Sequence, residues 1–245
     1  MSAPVFHAAR AVLLDAGRVL LDGPEGRHAA TVRRLRVGET VMLTDGAGLA
    51  ATAAVVEARR DSLVLDVLEL RELPRPELTL TVVQALPKGE RGELAVETMT
   101  EVGVDRVVPW AAARCVTRWR DERGTKAWDR WRSTAREAAK QSRRVWWPDV
   151  DPQAGTAEVA ALLSGAALAV VLHEEAAISL TDLPVPQAGE VVLVVGPEGG
   201  LTAEELDAFE AAGADTARIG PTVLRTSTAG TVAAALVLAA GGRWA

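Results

Sequence analysis

The 245-residue chain has one cysteine, three histidines and three lysines among its 27 basic residues, and each scarcity removes a class of chemistry. Cys115 has no partner for an internal disulfide, and His7, His28 and His173 do not cluster at a zinc-ligand spacing, so neither a disulfide scaffold nor a metal centre is expected. No run of eighteen apolar residues occurs, and the start MSAPVFHAARAVLL does not place a charged stretch ahead of an apolar one. The expectation is a cytoplasmic chain with no membrane partner.

What is present is an ordinary globular composition, 49% hydrophobic and 24% charged, enough for one large or two modest domains. The net charge of −6 hides an asymmetry. Residues 1–113 hold 13 basic and 16 acidic side chains, residues 114–144 hold 11 and 4, and residues 145–245 hold 3 and 13. A local basic patch therefore sits in an acidic chain. Because lysine is scarce the patch is mainly guanidinium, which suits bidentate phosphate contacts and stacking.

Short β-branched or alternating runs at 18–22, 40–45, 49–60 and 63–70, broken by Asp45-Gly46-Ala47-Gly48 and Asp61-Ser62, predict a small β domain of barrel or sandwich type. Between the first two, GPEGRHAATVRRLRVGE reads as a glycine turn, one or two helical turns and a return at Gly38. Leu73-Pro74-Arg75-Pro76 is a stiff connection and places the boundary between domains at 1–74 and 77–245. From Glu77 strands alternate with helices, predicting an α/β domain with a mainly parallel sheet. Strands are expected at 78–86, 106–111, 167–175 and 191–196, and helices at 91–103, with Gly103 as C-cap, 124–142 and 156–165. A further helix should start at Thr202, where Glu205 completes a capping box, and an alanine-rich one should run to about 240.

VVLVVGPEGGLTAEEL (191–206) runs from an apolar strand into a turn with almost no side chain. In open α/β sheets ligands bind outside the carboxyl ends of strands, and glycines admit a ligand to the backbone. A tight strand-to-helix turn without a ligand explains the same residues. The order G-x-G-x-x-G is absent and Glu198 would repel a pyrophosphate, so a neutral or cationic ligand fits better than a dinucleotide. IGPTVLRTSTAG, from Ile219, is a second such loop, whose Thr226, Ser227 and Thr228 suit either helix capping or ligand contact.

Together LVVGPEGGLTAEEL and IGPTVLRTSTA resemble the two C-terminal loops of the SPOUT-superfamily RNA methyltransferases, specifically the ribosomal RNA uridine-N3 methyltransferases of the RsmE type. HAATVRRLRVGE (28–39) is similar to that family's N-terminal PUA-like segment, KGERGELAVETMTEVGVDRVVPW (88–110) to its central helix and strand, and REAAKQSRR (136–144) to its basic helix. The resemblance implies a deep trefoil knot and a pocket for S-adenosylmethionine lined by Leu172, His173, Glu174, Gly196, Gly200, Ile219, Gly220, Leu224 and Thr226. It also implies a homodimer acting on a uridine in the decoding region of 16S ribosomal RNA within the small ribosomal subunit. One departure is Ser227, where members commonly carry an acidic residue, so no role of that carboxylate transfers.

Uracil N3 attacks well only as an anion, so a positive group near O2 or O4 should lower the barrier. Arg225, between the two loop elements, is the catalytic candidate; a structural ion pair with Glu198 is the alternative. His173 is a conceivable base or a packing residue. Trp128, Trp131, Ala135 and Ala138 recur at helical spacing and read as core rather than as an RNA-stacking surface. Arg132, Arg136 and Lys140 form a separate row suited to phosphates, extended by Arg143, by Arg33, Arg34 and Arg36, and by Lys88 and Arg91; a solvated charged face is the bland reading of each. A catalytically silent RNA-binding assembly factor with the same fold is the rival function, with Ser227 as its support.

Overall fold

The computed structural model describes residues 3–15 and 17–244, which pack as two compact units. The first unit holds the described residues up to Arg75 together with Ala139–Trp147. Its strands are β1 (Val5–His7), β2 (Arg18–Leu21), β3 (Thr40–Thr44), β4 (Leu49–Ala58) and β5 (Leu63–Glu72), in the sheet order β1-β3-β4-β5-β2. Only β1 and β3 run parallel. Along β4, Leu49, Ala51, Ala53 and Val55 face a core that includes Phe6, Leu13, Val41, Leu43 and Leu65. Register shifts at Thr52/Ala53 and Val55/Glu57 bend the long β4–β5 ladder, as bulges do, and curl the sheet. Short helices α1 (Arg10–Leu14) and α2 (Gly23–Arg27) complete the unit, and α2 continues into a π-helical turn at His28–Val32. β1 and α1 are missing from the sequence reading, since three and five residues carry too little periodicity to register.

Residues 139–147 join this unit through the β3–β4 turn. Trp146 bridges Ala47 in antiparallel fashion, and the Trp147 N–H donates to the Gly46 carbonyl at 2.9 Å. Gly46 and Gly48 have φ of +74° and +100°, and a methyl group on them would lie 2.6 Å and 2.5 Å from the Trp147 and Trp146 indoles. Glycine is required here for conformation and for space.

In the second unit the strands are β6 (Leu78–Ala85), β7 (Arg106–Trp110), β8 (Asp149–Val150), β9 (Leu168–Leu172), β10 (Ile178–Ser179), β11 (Gly189–Val195) and β12 (Asp215–Arg218). All pair in parallel, in the order β10-β12-β9-β11-β6-β7-β8. The helices are α3 (Arg91–Val102), α4 (Asp121–Gln141), α5 (Thr156–Ser164), α6 (Ala203–Ala211) and α7 (Thr226–Ala240). β11 lies between β9 and β6, and Val191–Val195 are buried at every position, as a strand covered on both faces requires. α3 ends at Gly103 in the left-handed region, φ +114°. α7 packs on α3, β6 and β11, and α5 on α6. The indole stripe is core: Trp131, Ala135 and Ala138 are buried, and the half-buried Trp128 packs against them and donates from Nε1 to the Val150 carbonyl at 3.0 Å. β8 and β10, two residues each, were too short to be read from sequence, and β9 ends at Leu172, three residues earlier than expected. No described helix is long and apolar enough to cross a membrane.

Candidate active site

Strands β9, β11 and β12 are parallel, with β9 pairing with both of the others, so their carboxyl ends open at one edge. The three loops that leave them enclose a cavity of about 320 Å³, within the usual size of small-molecule pockets. Leu172, His173, Glu174, Gly196, Gly200, Ile219, Gly220, Leu224, Arg225 and Thr226 all line it. Pro197 and Glu198, read from sequence as part of the ligand-facing turn, line it too; Leu201, Arg218, Thr222 and Val223 had not been placed there, and Arg91 had been put on an RNA track rather than in the cavity wall.

The loop after β11 is held from several sides. Gly200 has φ +72°, and its N–H donates to the Pro197 carbonyl at 2.9 Å, closing the turn. The capping box forms in full: Glu205 N–H donates to Thr202 Oγ1 at 3.2 Å, and Thr202 N–H to Glu205 Oε2 at 2.9 Å. Glu205 is buried, and its other oxygen accepts from Ala113 N–H at 2.7 Å. Glu198 Oε1 accepts from Lys88 N–H at 3.1 Å. Among the described residues no ion pair links Glu198 to Arg225, so the structural ion-pair alternative for Arg225 is not realised.

The loop after β12 is looser. Val223 is 77% exposed, and a methyl group at Gly220 would meet nothing within 4 Å. Arg225 is the N-cap of α7 through its backbone, without a side-chain cap, which corrects the expectation that Thr226, Ser227 or Thr228 caps the helix. Thr228 Oγ1 instead donates back to the Arg225 carbonyl at 3.2 Å. Gln84 Nε2, on β6, anchors the start of α7 by donating to the Thr226 carbonyl at 3.2 Å. Ser227 is buried at 4% exposure and does not line the cavity.

Two cavity-lining side chains hydrogen-bond to the backbone after β9. His173 Nδ1 accepts from Glu175 N–H at 3.2 Å, which fixes the ring against the turn after β9. The Arg218 guanidinium donates to the Ala176 carbonyl at 2.7 Å and to that of Ala177, holding the turn after β9. Cys115 is buried, and burial pushes its thiol above the ordinary value, so it is no nucleophile at neutral pH.

Of the phosphate candidates, Arg33, Arg34, Arg36 and Arg143 in the first unit and Lys88, Arg91, Arg132 and Arg136 in the second are exposed. Arg132 lies over the Trp128 ring at 5.0 Å. Lys140 is a correction: it is 8% exposed, with Nζ 3.0 Å from Glu25 Oε1. The helical row of Arg132, Arg136 and Lys140 holds in spacing, but its last member belongs to the first unit and is buried there beside Glu25, and a buried ammonium needs a carboxylate rather than a phosphate in solvent.

Residues 74–238 match the RNA methyltransferase domain family, and residues 21–68 the RNA methyltransferase PUA domain. The chain is 48% identical over 237 residues to the ribosomal RNA small subunit methyltransferase E of Mycobacterium tuberculosis, covering 95% of this chain and 90% of the relative. It is 30% identical over 220 residues to the protein of that name from Bacillus subtilis, covering 85% of each. A Legionella pneumophila methyltransferase solved with S-adenosylmethionine superimposes with a TM-score of 0.86 at 25% identity, covering 98% of both chains. The Neisseria gonorrhoeae ribosomal RNA small subunit methyltransferase E, also bound to S-adenosylmethionine, does so with a TM-score of 0.83 at 27% identity, covering 97% of this chain and 98% of that one. With strand-end loops, parallel sheet and curled N-terminal sheet all accounted for, the chain belongs to the ribosomal RNA small subunit methyltransferase E family of RNA methyltransferases.

Proposed function

We propose that this chain methylates N3 of a uridine in the decoding region of 16S ribosomal RNA, using S-adenosylmethionine and giving 3-methyluridine. The observation that carries the reading is the convergence of two glycine-bearing loops and the end of β9 on one cavity, in a fold whose relatives were solved with that molecule. The residues fit it. A cavity of about 320 Å³ suits a small molecule, and its wall carries both carboxylates (Glu174, Glu198) and guanidinium groups (Arg91, Arg218, Arg225), which suits a ligand bearing charges of both signs. The backbones of Leu172, Gly196, Gly200, Ile219, Gly220, Leu224 and Thr226 would hold it, beside His173 and Glu174. When bound, S-adenosylmethionine supplies a methyl carbon activated by its sulfonium.

The chain's own contribution is alignment and charge. Arg225 is exposed at the rim with its guanidinium unpaired among the described residues, and it stabilises the negative charge that gathers on uracil O2 or O4 as N3 loses its proton. Arg33, Arg34, Arg36 and Arg143 in one unit, and Lys88, Arg91, Arg132 and Arg136 in the other, contact RNA phosphates; Lys140 is left out. Arg136→Ala should reduce the salt dependence of RNA affinity by about one unit of slope, and an unchanged slope would remove it from the interface. The threaded C-terminal segment, the homodimer and a cytoplasmic site of action belong to the same reading. The threading is supported by α7, which follows β12 yet packs back on β11 and β6 beyond β9.

The test is methylation of small ribosomal subunits from a strain lacking the activity, with the product nucleoside identified by mass spectrometry. We expect 3-methyluridine; a different methylated nucleoside would move the substrate assignment. Binding without transfer would favour the silent assembly factor, which no structural observation supports, since Ser227 lies outside the cavity wall.

A further inference from the structure

We infer that Arg114 is a positioning residue for the cofactor loop, acting from 85 residues away in sequence. It presents one peptide, Gly200–Leu201, to the ligand. The inference rests on the reading that the cavity binds S-adenosylmethionine.

The hydrogen bonds of three consecutive peptides, from Gly199 to Thr202, support it. One Arg114 guanidinium nitrogen donates to the Gly199 carbonyl at 3.1 Å and to the Leu201 carbonyl at 3.0 Å. The first carbonyl belongs to the peptide whose N–H, on Gly200, is bonded to Pro197. The second belongs to the peptide whose N–H, on Thr202, is bonded to Glu205 Oε2. Both flanking peptides are thus tied at each end. Among the described residues the peptide between them has neither its Gly200 carbonyl nor its Leu201 N–H bonded, and both residues line the cavity. Backbone groups left without a protein partner beside a pocket are free to bond to a ligand that displaces water there.

The frame behind Arg114 is itself fixed. Glu205 accepts from Ala113 N–H, one residue before Arg114. Arg118 donates to the Ala112 and Ala113 carbonyls at 2.9 Å and 2.8 Å, which braces the same segment. Gly199 allows the approach: a methyl group there would sit 3.0 Å from Arg114 Cβ and 3.3 Å from its carbonyl oxygen. A side chain at Gly199 would push Arg114 off the loop without removing its charge.

The experiment compares the full chain with Arg114→Met, Arg114→Lys and Gly199→Ala. Three quantities are read: S-adenosylmethionine affinity by calorimetry, thermal midpoint, and amide exchange at Gly200 and Thr202 in the ligand-free protein. Arg114→Met should bind about tenfold more weakly, the size expected when a charged donor is removed. It should expose both amides to faster exchange with a nearly unchanged midpoint. Arg114→Lys should recover part of the affinity, since one ammonium can still reach a carbonyl, and Gly199→Ala should reproduce the loss. Wild-type affinity and wild-type protection in Arg114→Met would overturn the assignment. So would lost protection with unchanged affinity, which would make the contact structural alone. If the unsubstituted chain binds no S-adenosylmethionine, the proposed function fails, while amide exchange still decides whether Arg114 holds the loop.

Discussion

The two loops that face the cavity are built oppositely. The one after β11 is tied by Arg114, by the Thr202–Glu205 capping box and by the Glu198 bond to Lys88 N–H. The one after β12 carries an exposed Val223, a Gly220 with open space around it and an Arg225 without an ion-pair partner among the described residues. Preorganised backbone recognises a ligand with little ordering left to do, whereas an unbraced rim can adjust to a larger substrate. On the proposed function, both loops hold the cofactor; the first is the braced part of its site, and the second also brings Arg225 to the base.

Separating the two losses breaks or sharpens this assignment. Arg225→Ala should lower kcat about 100-fold, as loss of one preorganised charge stabiliser does, and leave S-adenosylmethionine affinity nearly unchanged. An equal loss in calorimetric affinity would merge the two roles. Gly200→Val should do the reverse, weakening that affinity about 10- to 100-fold, because a β-branched residue is strained at φ +72°. Normal affinity in the folded variant would take the first loop out of the site.

Smaller effects test the bracing itself. Thr202→Ala removes one arm of the capping box and should destabilise the chain by about 1 kcal/mol, read as a lower midpoint in denaturant. Glu205 still holds Ala113 N–H in that variant, so affinity should fall less than in Arg114→Met. Gly220→Ala should leave the thermal midpoint within about 2 °C, since the new methyl group meets no neighbour. A larger drop would show that the second loop is packed more tightly than its exposure implies.

Much of this arrangement was legible because it is local. The apolar run at 191–195, the Thr202–Glu205 box and the Gly103 cap follow from neighbours within about one turn, and each appears where expected. Arg225 as a backbone N-cap was misread because three hydroxyl residues follow it, yet none of them is the cap, and the Thr228 hydroxyl donates back to the Arg225 carbonyl. Lys140 was misread for a different reason. Helical spacing gives a row on a surface but does not say what covers its end, and Glu25 is 115 residues away.

The sequence by itself determined the order of the longer strands and helices, the two glycine loops at strand ends, the basic segment and the family resemblance, all properties of short-range pattern. Only the tertiary structure decided which loops share a cavity, that Arg91 faces it, that Lys140 is buried and that Arg114 grips the first loop. Those depend on strand order in the sheet, β12-β9-β11-β6, which brings together residues whose separation along the chain carries no local signal.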